Sequence, residues 1–369
     1  MIDSVDSIHV LGSRQFGGAD RFYVRLVEAL TEAGYPALAI NRPGSPVGDA
    51  LAESGAPQRQ LPLANGWDLY SVWRLRQIVS AQRPRVVQSY MGRGTRLTWV
   101  PRKLTTVHVA RLGGYYKLRG YYRHADAWVG NTRGVCDYLV REGFPSERIF
   151  MIGNFVAEPE PPSPAAAATL REHLGVPADA QVLFALGRFI DIKGFDDLLV
   201  AFAALPEEVQ GRPVWLVLVG DGPLRTMLEN QARDLGIAGR VVFAGWQNRP
   251  GPFFQLADAL VCPSRHETLG NVILEAWSYG LPVVATDTPG AIELVRDGDN
   301  GLLCPSQDPP ALATRLVELL NAEPAARQAV GAAGRAGVVS QHGRDAVLSA
   351  YLALYERLGV MGRWRGAGV

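Results

Sequence analysis

Two glutamates, Glu267 and Glu275, stand eight positions apart in the stretch SRHETLGNVILEAW, with Gly270 and Asn271 between them. In a single continuous helix they would lie roughly 80° apart around the axis and roughly 12 Å along it, too far for one compact site. Gly270 argues against a helix running through it, and Asn271 is a good N-cap before an apolar run. The pattern therefore predicts a loop carrying Glu267, a helix starting near Val272, and Glu275 one turn inside it. A helix start presents unpaired amides and a positive dipole end, both suited to an anion. The two acids would flank that seat.

A second anion seat is predicted in GRFIDIKGF, where Arg188 and Lys193 follow an apolar run with Gly187 and Gly194 beside them. Arg by a forked contact and Lys as a point charge can together neutralise a diphosphate. Alone, two such cations would more often be a solvated loop. The coincidence with Gly270-Asn271 on the same edge of one predicted sheet favours the site. In SRQFGGADRF, Gly17 and Gly18 can bring backbone amides close to a phosphate or sugar, with a helix starting near Ala19-Asp20. This is not a GxGxxG fingerprint, and no acid is placed for a dinucleotide ribose. Asp297 and Asp299 in RDGDNG have a spacing that can hold a metal, but among Gly and Asn they read as a surface turn. The six histidines, His108, His124 and His266 among them, form no HxxxH or HxH set, so no metal is expected. YYKLRGYYRH, residues 115 to 124, interleaves aromatics with cations. It reads as an amphipathic helix, or as a segment resting on an anionic membrane surface.

What positions these residues is an alternation of short apolar runs with helix-like segments, the pattern of βα units around parallel sheets. The strand candidates are SIHVLG, PALAI, RVVQSY, VHVARL and AWVGN in the first half. In the second half they are VLFALGRF, WLVLVGDG, RVVFAGW, ALVCPS and PVVAT. The Pro-rich stretch near Asn154 to Pro164 marks a domain boundary. We expect one domain over 1–155, completed by an amphipathic helix near 344–358 that buries Val347, Tyr351, Leu354 and Leu358 with Ala350 filling in. A second domain would cover 156–343, and 359–369 would be a frayed tail. The 369 residues suffice for two cores, and a net charge of +1 gives no overall drive towards nucleic acid. Cys136, Cys262 and Cys304 are far apart and outside any metal spacing, as expected of reduced thiols in a cytoplasmic protein. No run approaches the length of a membrane span.

In order and spacing, GRFIDIKGFDDLL, LVGDGPLR, VVFAGW, the stretch from Ala257 to Gly290 and RDGDNGLL resemble the retaining glycosyltransferases of GT-B architecture, family 4. FGGADRF and VGNTRGVCDYLVREGFPSERIFMIGNFV resemble them more loosely. The resemblance implies an α/β fold of two Rossmann-like domains facing each other across a cleft, the first on the acceptor side and the second binding a nucleotide sugar. It implies Glu267 near the transferred sugar together with backbone amides from Leu269 to Val272, Glu275 on the ribose, and Arg188 and Lys193 on the diphosphate. The implied reaction moves a hexose or hexosamine from a nucleotide diphosphate sugar, UDP by family habit, to a hydroxyl with retention and without a metal or other cofactor. The acceptor would be an envelope glycan or glycolipid such as lipopolysaccharide core, met at the inner face of the cytoplasmic membrane. Many members carry a His in the first-domain loop facing the sugar. Here VVQSYMGRGTR and ARLGGYY have none, so Arg93, Arg96 and Arg111 are candidates for acceptor binding only. A GT-B epimerase and a non-catalytic sugar-nucleotide-binding subunit are the alternative readings.

Overall fold

The apolar runs pair in parallel into two separate sheets, because each is long enough for a strand and most are followed by a helix that carries the chain back along the sheet; VHVARL is followed by loop and turns instead. The computed structural model describes residues 5–14, 16–161 and 163–364. The chain divides into one unit of 1–155 with 344–369 and another of 156–343.

The first sheet contains β1 (Ser7–Leu11), β2 (Ala37–Asn41), β3 (Gln58–Gln60), β4 (Val86–Tyr90), β5 (Val107–Leu112), β6 (Ala127–Gly130) and β7 (Ile149–Met151), in the order β3-β2-β1-β4-β5-β6-β7. β1, β2, β4, β5 and β6 are buried at every residue, as expected of strands covered on both faces. The two outer strands, β3 and β7, escaped the sequence reading. QRQ and IFM are three residues each and partly exposed, so neither length nor periodicity marks them.

The second sheet holds β8 (Gln181–Leu186), β9 (Glu208–Val209), β10 (Arg212–Val219), β11 (Val241–Gly245), β12 (Ala259–Cys262), β13 (Val283–Thr286) and β14 (Leu302–Cys304). Its main order is β11-β10-β8-β12-β13-β14, all parallel, with β9 antiparallel to the start of β10. The parallel α/β architecture expected from the alternation is what both units show.

The last helix, Arg344–Met361, buries Val347, Leu348, Tyr351, Leu354, Tyr355 and Leu358 in the first unit's core. Ala350, expected to fill that face, is exposed; Leu348 and Tyr355 take the space. Tyr351 Oη accepts from Arg111 Nε at 3.0 Å, and Tyr355 Oη donates to Gln88 Oε1 at 2.8 Å. The helix runs past 358, and the chain beyond it does not fray at once. Arg363 pairs with buried Asp126 at 3.2 Å, and Arg148 donates to the Gly362 carbonyl at 2.7 Å. Residues 365–369 of the expected tail lie outside the described residues.

Tyr115 to His124 is not a helix. It runs as loop and turns, with Tyr122 buried and Tyr115 exposed. Gly113 and Gly114 precede it, and Gly120 at φ +79° interrupts it.

Candidate functional site

In the second sheet, β8 connects onward to β10 on one side, while β12 opens the series β12-β13-β14 on the other. The strand order therefore reverses between β8 and β12, and loops at the carboxyl ends of strands flanking such a reversal are where open α/β sheets bind ligands. The loop after β8 carries Arg188 and Lys193. The loop after β12 carries Glu267 and leads into the helix Asn271–Ser278.

The two loops touch. Gly194 has φ +62°, and a Cβ there would fall 2.1 Å from the Pro263 carbonyl oxygen, so only glycine lets them approach so closely. That approach brings Lys193 Nζ to 2.5 Å from Glu267 Oε2, both side chains partly buried. Ser264 Oγ donates to the same oxygen at 3.3 Å. Burial alone would lower the Lys193 pKa, but the Glu267 charge and hydrogen bond outweigh it and the net value is raised. The sequence reading gave these two residues separate roles, on diphosphate and sugar, and did not foresee that they pair. The contact joins loops that are 74 residues apart and depends on the strand order. An ammonium has three donors, so pairing with Glu267 leaves two for a further acceptor.

A neighbouring cation sets the loop's shape. Arg265 binds Asp191 and Asp196 at 2.6 Å each and Asp197 at 2.9 Å, and its backbone amide donates to the Ile192 carbonyl. One arginine thus ties the loop after β12 to both sides of Lys193. Arg265 has no role in the sequence reading; the available signal is the three aspartates at 191, 196 and 197, in the facing loop and the helix start after it. Arg188 differs. It is exposed and has no side-chain partner among the described residues.

The helix starts one residue before the predicted Val272. Gly270 at φ +81° is the N-cap and Asn271 the first helical residue, because a left-handed N-cap favours glycine. The N-cap has no side chain to satisfy the first-turn amides, which keeps the dipole end available. Leu269 is buried in the apolar core and Val272 packs against it, so these two can contribute only backbone. Glu275 is half-buried on the same helix, its carbonyl accepting from Ser278 Oγ at 2.7 Å.

In the first unit, Gly17 caps the helix Gly18–Glu32, and its amide is taken by Asp20 Oδ2 at 2.8 Å. That leaves Gly18 as the glycine whose amide no side chain fills among the described residues. The three arginines proposed for an acceptor are largely spent. Arg111 is 2% exposed, lies 3.6 Å over the Phe22 ring and binds Tyr351 and Asn154. It is part of the core, which corrects its candidacy for acceptor contact. Arg93 donates to the Gly12 carbonyl at 3.0 Å. Arg96 donates to Gly66 at 2.8 Å and stacks 3.9 Å over Trp67.

Asp297 accepts from Arg315 and from the Leu303 amide, and Asp299 pairs with Arg296. Both acids of the turn are thus spoken for by cations. No group of three or more His, Cys, Asp or Glu side chains converges among the described residues. Cys136, Cys262 and Cys304 form no disulfide; burial first, then the Glu267 charge, pushes the Cys262 thiol up to about 11. His9 and His108 are buried, and His124 is half-buried. His9 Nδ1 meets Tyr90 Oη at 2.9 Å, and His124 stacks on Trp99.

Comparison with known proteins finds matches to both units. Residues 167–336 match the model for glycosyl transferases group 1, and residues 16–158 match that for glycosyltransferase family 4. The chain is 36% identical over 342 residues to the lipopolysaccharide core biosynthesis glycosyltransferase LpsE of Rhizobium meliloti, covering 92% of this chain and 95% of that one. It is 33% identical to LpsD of the same organism, again over 92% and 95%. Among solved structures it is similar to Anabaena Alr3699/HepE in complex with UDP and glucose, with a TM-score of 0.80 at 20% identity over 95% of this chain and 99% of that one.

Proposed function

The chain belongs to glycosyltransferase family 4, and from that premise we propose that it transfers a hexose or hexosamine from a UDP-sugar to a hydroxyl of lipopolysaccharide core, with retention and without a metal. The observation that carries this reading is the convergence at one sheet reversal of Lys193, Glu267, an exposed Arg188 without a side-chain partner among the described residues, and an uncapped helix start. The relatives named for lipopolysaccharide core support the acceptor. The fold neighbour bound to UDP and glucose supports the donor.

Breaking a sugar–phosphate bond builds negative charge on the departing diphosphate and positive charge at the sugar carbon. Arg188, Lys193 and the first-turn amides from Gly270 to Val272 would stabilise the first, acting as fixed donors that need no reorganisation. Glu267 would orient the sugar hydroxyls while holding Lys193 in place, and Glu275 would accept from the ribose. Gly17 ends the loop after β1 and Gly18 begins the helix that follows, where the Gly18 amide could serve an anion. Retention then follows from attack on the face the diphosphate leaves.

A glycolipid acceptor would be met at a membrane face, and the first unit has a surface suited to one. Between Ser54 and Ala125 the sequence has thirteen Lys and Arg against a single acid, Asp68, in a chain whose net charge is +1. In the same segment Trp67 and Leu69 are each 78% exposed, and Tyr70, Trp73 and Trp99 are also exposed. Aromatic tips among cations suit an anionic bilayer surface better than the stretch 115–124 does alone. No helix among the described residues is long and apolar enough to cross a membrane.

A thermal-shift screen over nucleotide diphosphate sugars tests the donor. A ligand at one hundred times its dissociation constant stabilises by about 2.7 kcal/mol, which is readily seen. UDP-sugars should shift the melt, and release of UDP should then require lipopolysaccharide core acceptor. A shift only with guanosine donors, or release indifferent to that acceptor, contradicts the reading.

A further inference from the structure

The first sheet reverses between β1 and β4, and the segments after the three adjacent strands β2, β1 and β4 each carry an arginine: Arg42 and Arg14 on loops, and Arg93 in the short helix Met91–Leu97. Arg42 is only 6% exposed. Its Nη1 donates to the Leu63 carbonyl at 2.6 Å and the Ala64 carbonyl at 3.3 Å, and Arg93 reaches the same Leu63 oxygen at 3.5 Å. Arg14 is exposed and makes no side-chain bond among the described residues. The nearby acid is Asp68, but its carboxylate is filled by the amides of Ala64 and Ser71 and by Ser71 Oγ. Burial first, and then the charges of Arg14 and Arg93, pull the Arg42 pKa below the ordinary arginine value. A buried cation beside two like charges, with no carboxylate of its own, is an arrangement that an incoming anion relieves.

Arg14 and Arg42 line a cavity of about 580 Å³ together with Ser45, Pro43, Pro62 and Ala64. Ser45 caps the helix Pro46–Glu53, so the positive end of that helix adds to the field. The Nε and Nη2 of Arg42 have no acceptor among the described residues. We propose that this cavity is a subsite for an anionic group, a phosphate or a carboxylate, carried by the acceptor glycan. The assignment to the acceptor rests on the transferase reading; the existence of the anion site does not.

The test is calorimetric titration of the full chain with inorganic phosphate and, separately, with glucuronate. The proteins compared are wild type, Arg14→Gln, Arg42→Gln, Arg42→Lys and Lys193→Ala. Losing charge-assisted bonds should weaken binding of the preferred anion on the order of tenfold in Arg14→Gln and Arg42→Gln, with partial rescue by Arg42→Lys. Lys193→Ala should retain this binding. Preference for phosphate or for glucuronate names the source group. Should Arg42→Gln fail to fold, Arg14→Gln decides, because its side chain is exposed and bonds nothing among the described residues. Binding of neither anion, or binding lost in Lys193→Ala but kept in Arg14→Gln, overturns the subsite. In transfer assays, Arg14→Gln should raise the KM for acceptor and leave the KM for donor unchanged. An unchanged acceptor KM beside weakened anion binding would overturn the acceptor assignment alone.

Discussion

Cations at the reversal of the second sheet are matched by acids, whereas those at the reversal of the first are not. In the second unit Lys193 has Glu267, Arg265 has three aspartates, and Arg225 has Asp221 and Glu229; Arg188 is the exception. In the first unit Arg42 and Arg93 lean on backbone carbonyls, and Arg14 bonds nothing among the described residues. Matched charges hold two loops in one geometry, which suits stabilising a transition state. Unmatched charges hold an attraction in reserve, which suits capturing an anion. The same sheet topology thus supports two different electrostatic tasks, decided by where the acids are placed.

The largest effect that can break this contrast is on turnover. Lys193→Ala and Arg188→Ala should each cut kcat on the order of a hundredfold, the usual cost of one electrostatic donor to a leaving group. Arg188→Ala should do so with no change in melting temperature, since its side chain is exposed and bonds nothing among the described residues. Near-wild-type kcat in both variants would mean that neither the matched Lys193 nor the unmatched Arg188 serves the leaving group.

A smaller effect concerns the unmatched side. Trp67→Ser combined with Trp73→Ser should weaken sedimentation with phosphatidylglycerol-containing vesicles on the order of tenfold, while phosphatidylcholine vesicles bind poorly throughout. Equal binding to both lipids would place the membrane contact elsewhere or nowhere.

The acid response should separate the units by a modest margin. Burial lowers the His9 pKa to about 3 and lowers that of His108 as well, against an ordinary value of about 6.5. The unfolded chain therefore binds protons that the folded first unit refuses. Stability from this source is complete above about 6.5 and declines as pH falls towards about 3. None of the second unit's histidines, His173, His266 and His342, is buried. Hydrogen exchange at pH about 5, compared with pH about 7, should show protection lost first in β1, β4 and β5. Loss first in β8 and β10 would contradict this. Least of all should change in Asp297→Ala with Asp299→Ala: activity and its indifference to chelator should persist, because both acids pair with arginines rather than gather around an ion.

Much of the second unit was legible because its signals are local. A glycine before an apolar run marks the start of Asn271–Ser278 to within a residue, and GRFIDIKG marks a loop after a buried strand. What was hidden depends on strand order: the Lys193–Glu267 contact, the Arg265 tie and the arginines converging after β1, β2 and β4. Arg111 misled for the same reason. As a cation at a strand's end it looked available, but the last helix brings Tyr351 to it from 240 residues away. The stretch 115–124 misled because interleaved aromatics and cations imitate a helical face, while Gly120 at φ +79° and the preceding Gly113-Gly114 break the helix.

The central claim is that the second unit's reversal holds the nucleotide, with Glu275 on the ribose and Glu267 on the sugar side. Titration of UDP, which has a ribose but no sugar, into wild type, Glu275→Gln and Glu267→Gln tests it most directly. Hydrogen bonds to a charged acceptor are worth about 1.5–3 kcal/mol, so Glu275→Gln should bind UDP tenfold to a hundredfold more weakly at little cost in melting temperature. Glu267→Gln should lose turnover and retain most of its UDP affinity. UDP binding as tight in Glu275→Gln as in wild type, or an equal loss in Glu267→Gln, would contradict the account.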